Sequence, residues 1–380
     1  MQLLSIFSGG GFLDLGFINQ GFQIVDAIES HEAFVDCYNE GTKSYVTKSQ
    51  KNIFKNSAVS SFNISKTLDA TSPDVQNNLE KNFKNITGII GGSPCQDFSQ
   101  GGSNKGVEGD RGKLIFTYLE IVSRINPLFI FFENVSGLYK SKIHQVGFFD
   151  LKNQLERDYH LWYEVLNALD YGVPQDRARL TLVGFRKDVI KKLIDNDFKL
   201  ILQPSESENH ELIFKWPSKK FPSPKTQEWP KIWRFGSEVI TKDINPIPKS
   251  YYELFVDSAF AGLNNSSPNQ QEHFIPYSKK FTKIKEGDTS GKSFKRLHRY
   301  RYSPTVAYGN NEVHLHPTEP RRISVREALR LQSVPDGYIL PKEITLTDKF
   351  KLISNGVPTK KAELIAKEIK RTLTNYFSLL

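Results

Sequence analysis

With 380 residues, the chain is long enough to bury the core of one large domain or of two smaller ones. A hydrophobic share of 38% and an aromatic share of 12% are typical of a globular enzyme and exclude a disordered or fibrous chain. The two cysteines, Cys37 and Cys95, are too few for a disulfide framework or a cysteine-rich zinc site, so we expect a reducing compartment and no metal.

The charge balance favours a polyanionic partner. Lys and Arg number 51 against 42 for Asp and Glu, which gives a formal net charge of +9, although an ordinary basic protein would show the same balance. No apolar run approaches the roughly 20 residues needed to cross a bilayer, and the residues from Met1 to Phe7 carry neither a basic region nor a cleavage site. We therefore expect a soluble, cytoplasmic protein with no membrane partner.

The first half of the chain alternates short apolar runs with segments of helical periodicity. The apolar runs cover residues 3–7, 22–28, 88–91 and 128–132. The segments with apolar residues at helical spacing cover residues 12–19, 31–39 and 114–125. This alternation predicts parallel strands joined by crossover helices, which means an α/β fold with a doubly wound, mostly parallel sheet.

A second, irregular region is predicted after Arg186. The stretch to about residue 321 is rich in Pro, Lys, Ser and Asn and holds three of the four tryptophans. Helical periodicity returns at residues 325–332 and 360–373, and the last helix could pack back onto the sheet. We therefore expect a discontinuous first domain and a smaller second one, at residues 1–186 with 340–380 and at residues 187–339.

A glycine-rich turn follows the first apolar run. Residues Phe7 to Gly11 lie between a predicted strand and a predicted helix, where glycines let the backbone approach a nucleotide-like ligand closely. Such turns also bind phosphates or allow tight packing, so the turn alone leaves the ligand open. The next strand ends at Glu29, which could accept hydrogen bonds from ribose hydroxyls or could simply be solvated. Asp69 is a weaker candidate of the same kind.

Cys95 lies in a glycine- and proline-flanked segment directly after a predicted buried strand. This position predicts a loop at the carboxyl edge of the sheet, where doubly wound folds place their chemistry, so we interpret Cys95 as a nucleophile. Cys37 instead falls within a helical pattern, and we interpret it as an inert core residue.

Polar residues also flank two later strands. The apolar run 129–132 leads directly into Glu133, which is costly to bury unless it is paired or protonated and which otherwise would emerge into solvent. A buried, protonated Glu133 could donate a proton. Farther along, Gln175, Arg177 and Arg179 lead into a predicted strand, and the two arginines alternate onto one face, toward an anion or a carbonyl oxygen.

Taken in order, these motifs resemble those of the cytosine-5 DNA methyltransferases of restriction–modification systems. The resemblance covers nearly the whole chain apart from the middle region. It rests on Phe7 to Gly11, Pro94-Cys95-Gln96, Arg111-Gly112-Lys113-Leu114, Glu133-Asn134-Val135, Gln175 to Arg179, Arg326-Glu327-Ala328 to Gln332, and Asn355-Gly356-Val357-Pro358. One departure is Phe12, where the family usually has a further glycine, and this leaves the detailed geometry of the turn open.

The resemblance implies the fold of S-adenosylmethionine-dependent methyltransferases and the activity of a DNA (cytosine-5-)-methyltransferase. It implies that Cys95 is the nucleophile and that Glu133 binds and protonates cytosine N3. Arg177, Arg179 and Gln175 would support the cysteine and the cytosine ring. The implied cofactor is S-adenosyl-L-methionine, and the residues implied to bind it are Phe7, Gly9, Gly11, Glu29, Asp69, Leu114, Asn355 and Val357.

Such chemistry requires the target base to be flipped out of the duplex. The glycine-rich segment 98–113, next to Cys95, is predicted to close over the flipped base, although an ordinary surface loop would have a similar composition. The basic middle region is predicted to recognise double-stranded DNA, because the shared motifs surround it without entering it. We assign DNA contacts to Gln96, Ser99, Arg296, Arg299 and Arg301.

Two other functions fit parts of the pattern. A tRNA cytosine-5 methyltransferase would share every catalytic residue, but the short cysteine-bearing signature of those relatives is missing. A non-catalytic DNA-binding homologue is expected to lack the nucleophile or the acid, and both are present; a dinucleotide dehydrogenase leaves both motifs unexplained. We expect a monomer in a prokaryotic cell, with a restriction endonuclease that acts on the same site as a candidate partner. The recognised sequence stays open.

Overall fold

The structure is a computed structural model, and it describes residues 1–49, 64–93, 114–141, 145–196, 213–291, 293–306 and 314–380. Its main feature is a seven-stranded sheet. The strands of this sheet are β1 (Gln2–Ile6), β2 (Gln23–Glu29), β3 (Ser65–Thr67), β4 (Gly88–Gly91), β5 (Phe129–Val135), β6 (Tyr159–Asn167) and β7 (Ala178–Arg186).

The strand order across the sheet is β3-β2-β1-β4-β5-β7-β6. Strands β1 to β5 pair in parallel, whereas β7 runs antiparallel to both β5 and β6. The chain leaves β1 toward one side of the sheet and returns at β4 on the other side, and ligands bind such sheets at this switch point. The predicted fold class, α/β with a doubly wound, mostly parallel sheet, is confirmed.

Helices connect and flank these strands. Those of the first half are α1 (Phe12–Asn19), α2 (Glu32–Ser49), α3 (Pro73–Phe83), α4 (Leu114–Ile125), α5 (Gly137–Lys140), α6 (Gln145–Leu155) and α7 (Lys187–Asn196). Those of the second half are α8 (Thr241–Ile244), α9 (Val256–Phe260), α10 (Lys280–Lys283), α11 (Val325–Leu331), α12 (Leu346–Asn355) and α13 (Thr359–Phe377). Short 3₁₀ turns cover Ala168–Tyr171, Pro224–Thr226 and Lys249–Leu254.

Both faces of the sheet are buried in apolar layers. Successive residues of β1 show the pattern, because Leu3 packs in one layer and Leu4 in the other, and both are 0% exposed. Residues of α1, α7 and α13 cover the first layer, and residues of α3, α4 and α6 cover the second. Since both faces are covered, the central strands are continuous apolar runs, which made them recognisable in the sequence.

The last helix packs against the first. A Cβ atom on Gly16 of α1 would lie 2.6 Å from the Cβ atom of Ala362, so the two helices touch at a residue without a side chain. Beside this contact, Asn19 Nδ2 donates a hydrogen bond to Glu363 Oε2 at 3.2 Å. The predicted return of the C-terminal helix to the sheet is confirmed.

The region between α7 and α11 is irregular, as predicted. Its described part contains one short parallel pair, β8 (Lys295–Arg296) with β9 (His314–Leu315), and an apolar cluster that includes Trp233 and Phe255. Ile213 and Phe214 instead pack into the first layer of the main sheet. The predicted domain boundaries, residues 1–186 with 340–380 and residues 187–339, stay a prediction.

Candidate active site

Polar groups from four strands meet at the carboxyl edge of the sheet. Strands β2, β1, β4 and β5 are parallel neighbours, so the residues that follow them lie along the same edge. The glycine turn follows β1, Glu29 ends β2, Ser93 follows β4, and Glu133 lies near the end of β5. The fold therefore brings predicted cofactor-binding and catalytic residues to one edge.

The turn after β1 has an unusual backbone. Phe7 has a φ of 56°, a left-handed value that is uncommon for a residue with a side chain, and Gly9 and Gly11 follow with φ of 53° and 70°. A Cβ atom on Gly11 would lie 2.6 Å from Cε2 of Tyr38, whereas a Cβ atom on Gly9 would meet nothing within 4 Å. Packing thus requires Gly11 to be glycine, while Gly9 borders open space.

Glu29 joins this turn to the loop after β2. Its Oε2 accepts a hydrogen bond from the Gly9 N–H at 3.0 Å, and its Oε1 accepts one from the His31 N–H at 2.9 Å. The side chain is half-buried. Each carboxylate oxygen can accept more than one hydrogen bond, so Glu29 holds the backbone and keeps acceptor capacity for a ligand.

The remaining predicted cofactor residues differ in their exposure and in the element that carries them. Asp69 is exposed after β3, and its Oδ1 accepts hydrogen bonds from the N–H and the hydroxyl of Thr71 at 2.9 and 2.8 Å. Leu114 begins α4 and is half-buried, and Asn355 ends α12 and is exposed. Val357 is only 8% exposed and packs in the first apolar layer, so its side chain serves the core.

A close approach between β4 and β5 fixes the start of the segment that contains Cys95. A Cβ atom on Gly92 would lie 2.5 Å from the carbonyl oxygen of Glu133, so only glycine fits there. Asn134 donates from Nδ2 to the Ser93 hydroxyl at 3.0 Å and to the Ser93 carbonyl oxygen at 3.2 Å. The chain therefore enters this segment directly beside Glu133.

Of the two cysteines, the structure describes Cys37. Cys95, with Gln96, Ser99 and the segment 98–113, lies outside the described residues, and the predictions for these residues stay predictions. Cys37 is 0% exposed in α2, and burial raises the pKa of its thiol to about 12. A buried thiol that stays protonated is not a nucleophile, so the interpretation of Cys37 as a core residue is confirmed.

Glu133 is a buried carboxylate between two cations. It is only 7% exposed, and its Oε1 lies 3.9 Å from Arg179 Nε and 3.9 Å from Lys361 Nζ. The opposite charges offset part of the cost of removing the carboxylate from water. The alternative interpretation, a side chain that emerges into solvent at the strand end, is therefore wrong.

Arg177 and Arg179 lie two residues apart, but their side chains contact different parts of the protein. Arg179 is the arginine beside Glu133. Arg177 is 2% exposed, and its Nη2 donates hydrogen bonds to the carbonyl oxygens of Ser354 and Gly356, both at 2.9 Å. Arg177 thus ties the start of β7 to the loop between α12 and α13, and the structure separates two arginines that the sequence assigned to one role.

Gln175 also holds backbone groups. It is 0% exposed, its Nε2 donates to the Leu331 carbonyl oxygen at 3.1 Å, and its Oε1 accepts from the Val306 N–H at 3.2 Å. Both ends of the amide are occupied by the protein itself. Gln175 therefore holds two backbone segments together, and its place in the wall of the site stays a prediction.

Lys361 is a site residue that the sequence patterns did not identify. It lies at the start of α13 and is 0% exposed. Ile365 and Ile369 follow at intervals of four residues and are buried too, so the lysine lies on the apolar face of the helix. A lysine on such a face requires an acidic partner inside the protein, and this was the available signal.

The irregular region contains the arginines that were predicted to contact DNA. Arg296 is 0% exposed, and its guanidinium donates to the carbonyl oxygens of Ile284 at 2.8 Å, His316 at 2.5 Å, Glu319 at 3.1 Å and Phe281. Burial lowers the pKa of Arg296 to about 10. Because its donors are used inside the protein, the structure argues against a DNA contact by this residue.

Arg299 and Arg301 differ in their partners. Arg299 makes two hydrogen bonds to the Glu286 carboxylate, at 3.0 and 3.1 Å, and its guanidinium carbon lies 5.4 Å from the centre of the Trp233 ring. Arg301 is half-buried, and burial lowers its pKa. No carboxylate in the described part of the chain pairs with the Arg301 guanidinium, so its charge is the least compensated of the three.

Within the described ranges, no group of three or more His, Cys, Asp and Glu side chains could hold a metal ion. None of the helices in this part of the chain combines the length and the apolar character that a membrane crossing needs.

The sequence matches known proteins over almost its full length. The family model of the C-5 cytosine-specific DNA methylases matches residues 1–371. The type II methyltransferase M.NmeDI of Neisseria meningitidis serogroup C is 39% identical over 383 residues, which cover 99% of this chain and 84% of the relative. The type II methyltransferase M.FnuDI of Fusobacterium nucleatum is 29% identical over 396 residues, which cover 99% of this chain and 96% of the relative.

A solved structure shares the fold. The methyltransferase EhMeth of Entamoeba histolytica superimposes with a TM-score of 0.59 and 13% sequence identity, over 98% of each chain, and this similarity concerns the fold alone. The family match, in contrast, spans every strand of the sheet and every motif at its carboxyl edge. The chain therefore belongs to the C-5 cytosine-specific DNA methylases and is a DNA (cytosine-5-)-methyltransferase.

Proposed function

We propose that this enzyme methylates C5 of a cytosine in double-stranded DNA at a specific site, through a covalent bond between Cys95 and cytosine C6. The observation that carries the proposal is the buried carboxyl group of Glu133, with Arg179 and Lys361 both 3.9 Å away. Asn134 beside it holds Ser93, and two residues of chain, at most about 7 Å, lead from there to Cys95. A nucleophile and a proton donor can thus reach the same base.

The ends of β1 and β2 fit S-adenosyl-L-methionine, which supplies an electrophilic methyl group when it is bound. A side chain on Gly9 would point into open space, which leaves room for a ligand against the turn. Glu29 stands beside that space with acceptor capacity for ribose hydroxyls. The further contacts that we assign to the cofactor, from the family resemblance, are Phe7, Gly11, Asp69, Leu114, Asn355 and Val357.

The residues at the edge can activate the cytosine ring, whose C5 is otherwise a poor nucleophile. The thiolate of Cys95 adds to C6, which forms a sulfur–carbon bond and moves electron density toward N3 and C5. Glu133 donates its proton to N3, and the charge of Arg179 stabilises the electron density that develops on the ring. After C5 has taken up the methyl group, a base removes the C5 proton, the sulfur–carbon bond breaks, and the N3 proton returns to Glu133.

The base must leave the duplex before Cys95 can reach C6. We assign the contacts with the surrounding DNA to Gln96 and Ser99, which follow the nucleophile directly, and to the middle region at residues 187–339. Within that region Arg301 is the strongest of the predicted contacts, because its charge has no carboxylate partner among the described residues. Arg299 is second, since Glu286 already takes part of its hydrogen-bonding capacity.

The relatives from Neisseria meningitidis and Fusobacterium nucleatum are both type II methyltransferases. By analogy, we assign this enzyme to a restriction–modification system of a prokaryotic cytoplasm. Its candidate partner is an endonuclease that cuts the same site when it is unmethylated. We further propose that the enzyme acts as a monomer on each duplex site.

Neither competing function is favoured. A tRNA cytosine-5 methyltransferase would use the same catalytic residues, but the family model and the named relatives concern DNA and type II systems. A non-catalytic homologue would have no use for a buried carboxyl group between two cations, which costs folding free energy wherever it is retained.

Bisulfite sequencing of DNA from cells that express the protein tests the proposal directly. We expect complete protection of one cytosine within a short recurring sequence, and no protection in cells that express Cys95→Ala. The purified enzyme should transfer methyl groups to duplex DNA and not to tRNA of the same cells. Transfer to tRNA alone, or protection by the Cys95→Ala variant, would overturn the proposal.

A further inference from the structure

Lys361 is buried at a cost that its contacts in the resting enzyme do not fully offset. Its side chain is 0% exposed, and its Nζ has no hydrogen-bond partner among the described residues. Among the described residues, its nearest acidic atom is Glu133 Oε1, at 3.9 Å, which is beyond hydrogen-bond distance. A buried ammonium group normally persists only where it is paired, so its retention beside Glu133 points to a role at that residue.

Both cations approach the same oxygen of Glu133. Arg179 Nε and Lys361 Nζ each lie 3.9 Å from Oε1, and this oxygen is itself buried without a hydrogen-bond partner in the described part of the chain. The two cations come from different elements, since Arg179 is in β7 and Lys361 is in α13. The inner oxygen of Glu133 is therefore approached by cations from two separate elements.

The charges around Lys361 act in opposite directions. The pKa of Lys361 is lowered to about 8, mainly by burial; Arg179 and Arg177 also lower it, and Glu133 opposes them by raising it. Glu133 thus lies beside two basic groups, and one of them is an ammonium group whose pKa is lowered by its surroundings.

We propose that Lys361 is a positioning residue, whose ammonium group holds the inner oxygen of Glu133 and sets how readily this carboxyl group takes up and releases a proton. The inference rests on the proposed role of Glu133 as the proton donor to cytosine N3. A nearby positive charge favours the ionised form of a carboxyl group, so a cation beside Glu133 assists the release of its proton to the base. Lys361 does not itself touch the base.

Lys361→Met tests this role, because methionine keeps the length and volume of the side chain and removes its charge. Loss of an opposite charge beside a carboxyl group favours the protonated form of that group. Protonation is followed by infrared titration of the free enzyme, in which the carboxyl band of Glu133 is assigned by its absence in Glu133→Gln. The titration midpoint of this band should lie at higher pH in Lys361→Met than in the wild type.

Two further variants serve as controls. Lys361→Arg keeps the positive charge and should leave the midpoint within about half a unit of the wild-type value. Lys360→Met removes the same charge from the adjacent residue, which pairs with Glu253 at 3.1 Å and not with Glu133. It should leave the midpoint and the methylation rate unchanged.

The rate of methyl transfer in a single turnover provides the second measurement. Glu133 must be protonated to donate to N3, so the rate should fall at high pH as Glu133 loses its proton. This limb of the pH–rate profile is identified by its absence in Glu133→Gln. In Lys361→Met it should move to higher pH, by the same interval as the infrared midpoint. A structural role alone would lower the rate at every pH and leave this limb in place. An unchanged infrared midpoint in Lys361→Met would overturn the inference.

The test remains decisive if a variant misfolds or if the proposed substrate is wrong. We expect Lys361→Met to fold, since an apolar side chain replaces an incompletely paired buried charge. Lys361→Gln, which also removes the charge but keeps a hydrogen-bond donor, gives the same test if the methionine variant is unstable. The infrared midpoint is measured without DNA, so it decides the role of Lys361 even if the wild-type enzyme proves to methylate another substrate.

Discussion

The region of the seven-stranded sheet and the irregular middle region differ in what their buried charges do. Around the sheet, the buried Glu133 and Lys361 and the half-buried Arg179 come together at the carboxyl edge, where the proposed chemistry takes place, although Arg177 there also holds backbone carbonyl groups. In the middle region the buried charge of Arg296 instead holds together four backbone carbonyl groups of neighbouring loops.

The difference follows from the backbone. Long strands and helices satisfy their own carbonyl groups, so a charge buried among them needs a reason other than folding. Short elements and loops leave carbonyl groups without partners, and the five donors of one guanidinium group can satisfy several of them at once. A cluster of arginines in an irregular region therefore does not by itself mark a nucleic-acid surface.

The largest effect is expected at the sheet edge. Cys95→Ala should reduce methyl transfer by a factor on the order of 10⁴ or more, because it removes the proposed nucleophile. Duplex binding, measured by fluorescence anisotropy, should stay close to that of the wild type, since other surfaces carry it. Cys37→Ala is the matched control and should keep its activity. Near-normal turnover by Cys95→Ala would refute covalent catalysis.

The next effect concerns the proton donor. Glu133→Gln keeps the size of the side chain and a hydrogen-bond donor but has no proton to transfer. The rate of methyl transfer should fall by about 10²–10⁴-fold, and the affinity for duplex DNA should change far less. Single-turnover kinetics and anisotropy measure the two quantities separately. A loss of less than tenfold would reduce Glu133 to a residue that only orients the base.

The third prediction concerns the middle region, where charge is expected to stabilise the fold. Arg296→Ala should lower the free energy of unfolding by about 3–5 kcal/mol, because it leaves several buried carbonyl groups without a donor. Denaturant titration measures this loss. If Arg296→Ala instead unfolds like the wild type and binds DNA more weakly, the buried arginine of this structure would be a DNA contact after all.

The smallest effect is expected at Arg301, where we expect a change in DNA binding and almost none in the stability of the fold. Arg301→Ala should change the free energy of unfolding by less than about 1 kcal/mol, since it removes a half-buried charge that no carboxylate in the described part of the chain pairs with. It should weaken duplex binding by about 1–3 kcal/mol. A relaxed site at one base pair would indicate a base contact, and a flatter salt dependence would indicate a phosphate contact. If neither affinity, salt dependence nor the methylated site changed, Arg301 would not contact DNA.

Much of the fold could be predicted because its signals are local. The apolar runs and the helical periodicity gave α1 and α4 with the observed bounds, and they gave β4 as well. Strand β6 escaped prediction because it lies at the edge of the sheet, where its half-buried, mixed sequence lacks both a continuous apolar run and a strict alternation. Helix α7 escaped because the break in composition after Arg186 suggested that the first domain ended there.

Site residues that directly follow a strand could be predicted from the sequence. Site residues whose contacts come from a segment far away in the sequence could not. Glu29 and Glu133 are marked by the apolar strands that precede them. The different partners of Arg177 and Arg179, and the presence of Lys361, depend on where the loop before α13 crosses the sheet. The burial of Arg296 likewise depends on which loops surround it.

The pairing of the first helix with the last bears on the biosynthesis of the enzyme. Asn19 and Glu363, which are joined by a hydrogen bond, are 344 positions apart in the chain. While the ribosome is still adding the residues before α13, the apolar face of α1 lacks its cover, and Glu133 lacks Lys361. A nascent chain can therefore assemble strands but not a complete catalytic edge. Activity should appear abruptly, once this late segment has emerged, so that unfinished chains cannot modify the genome.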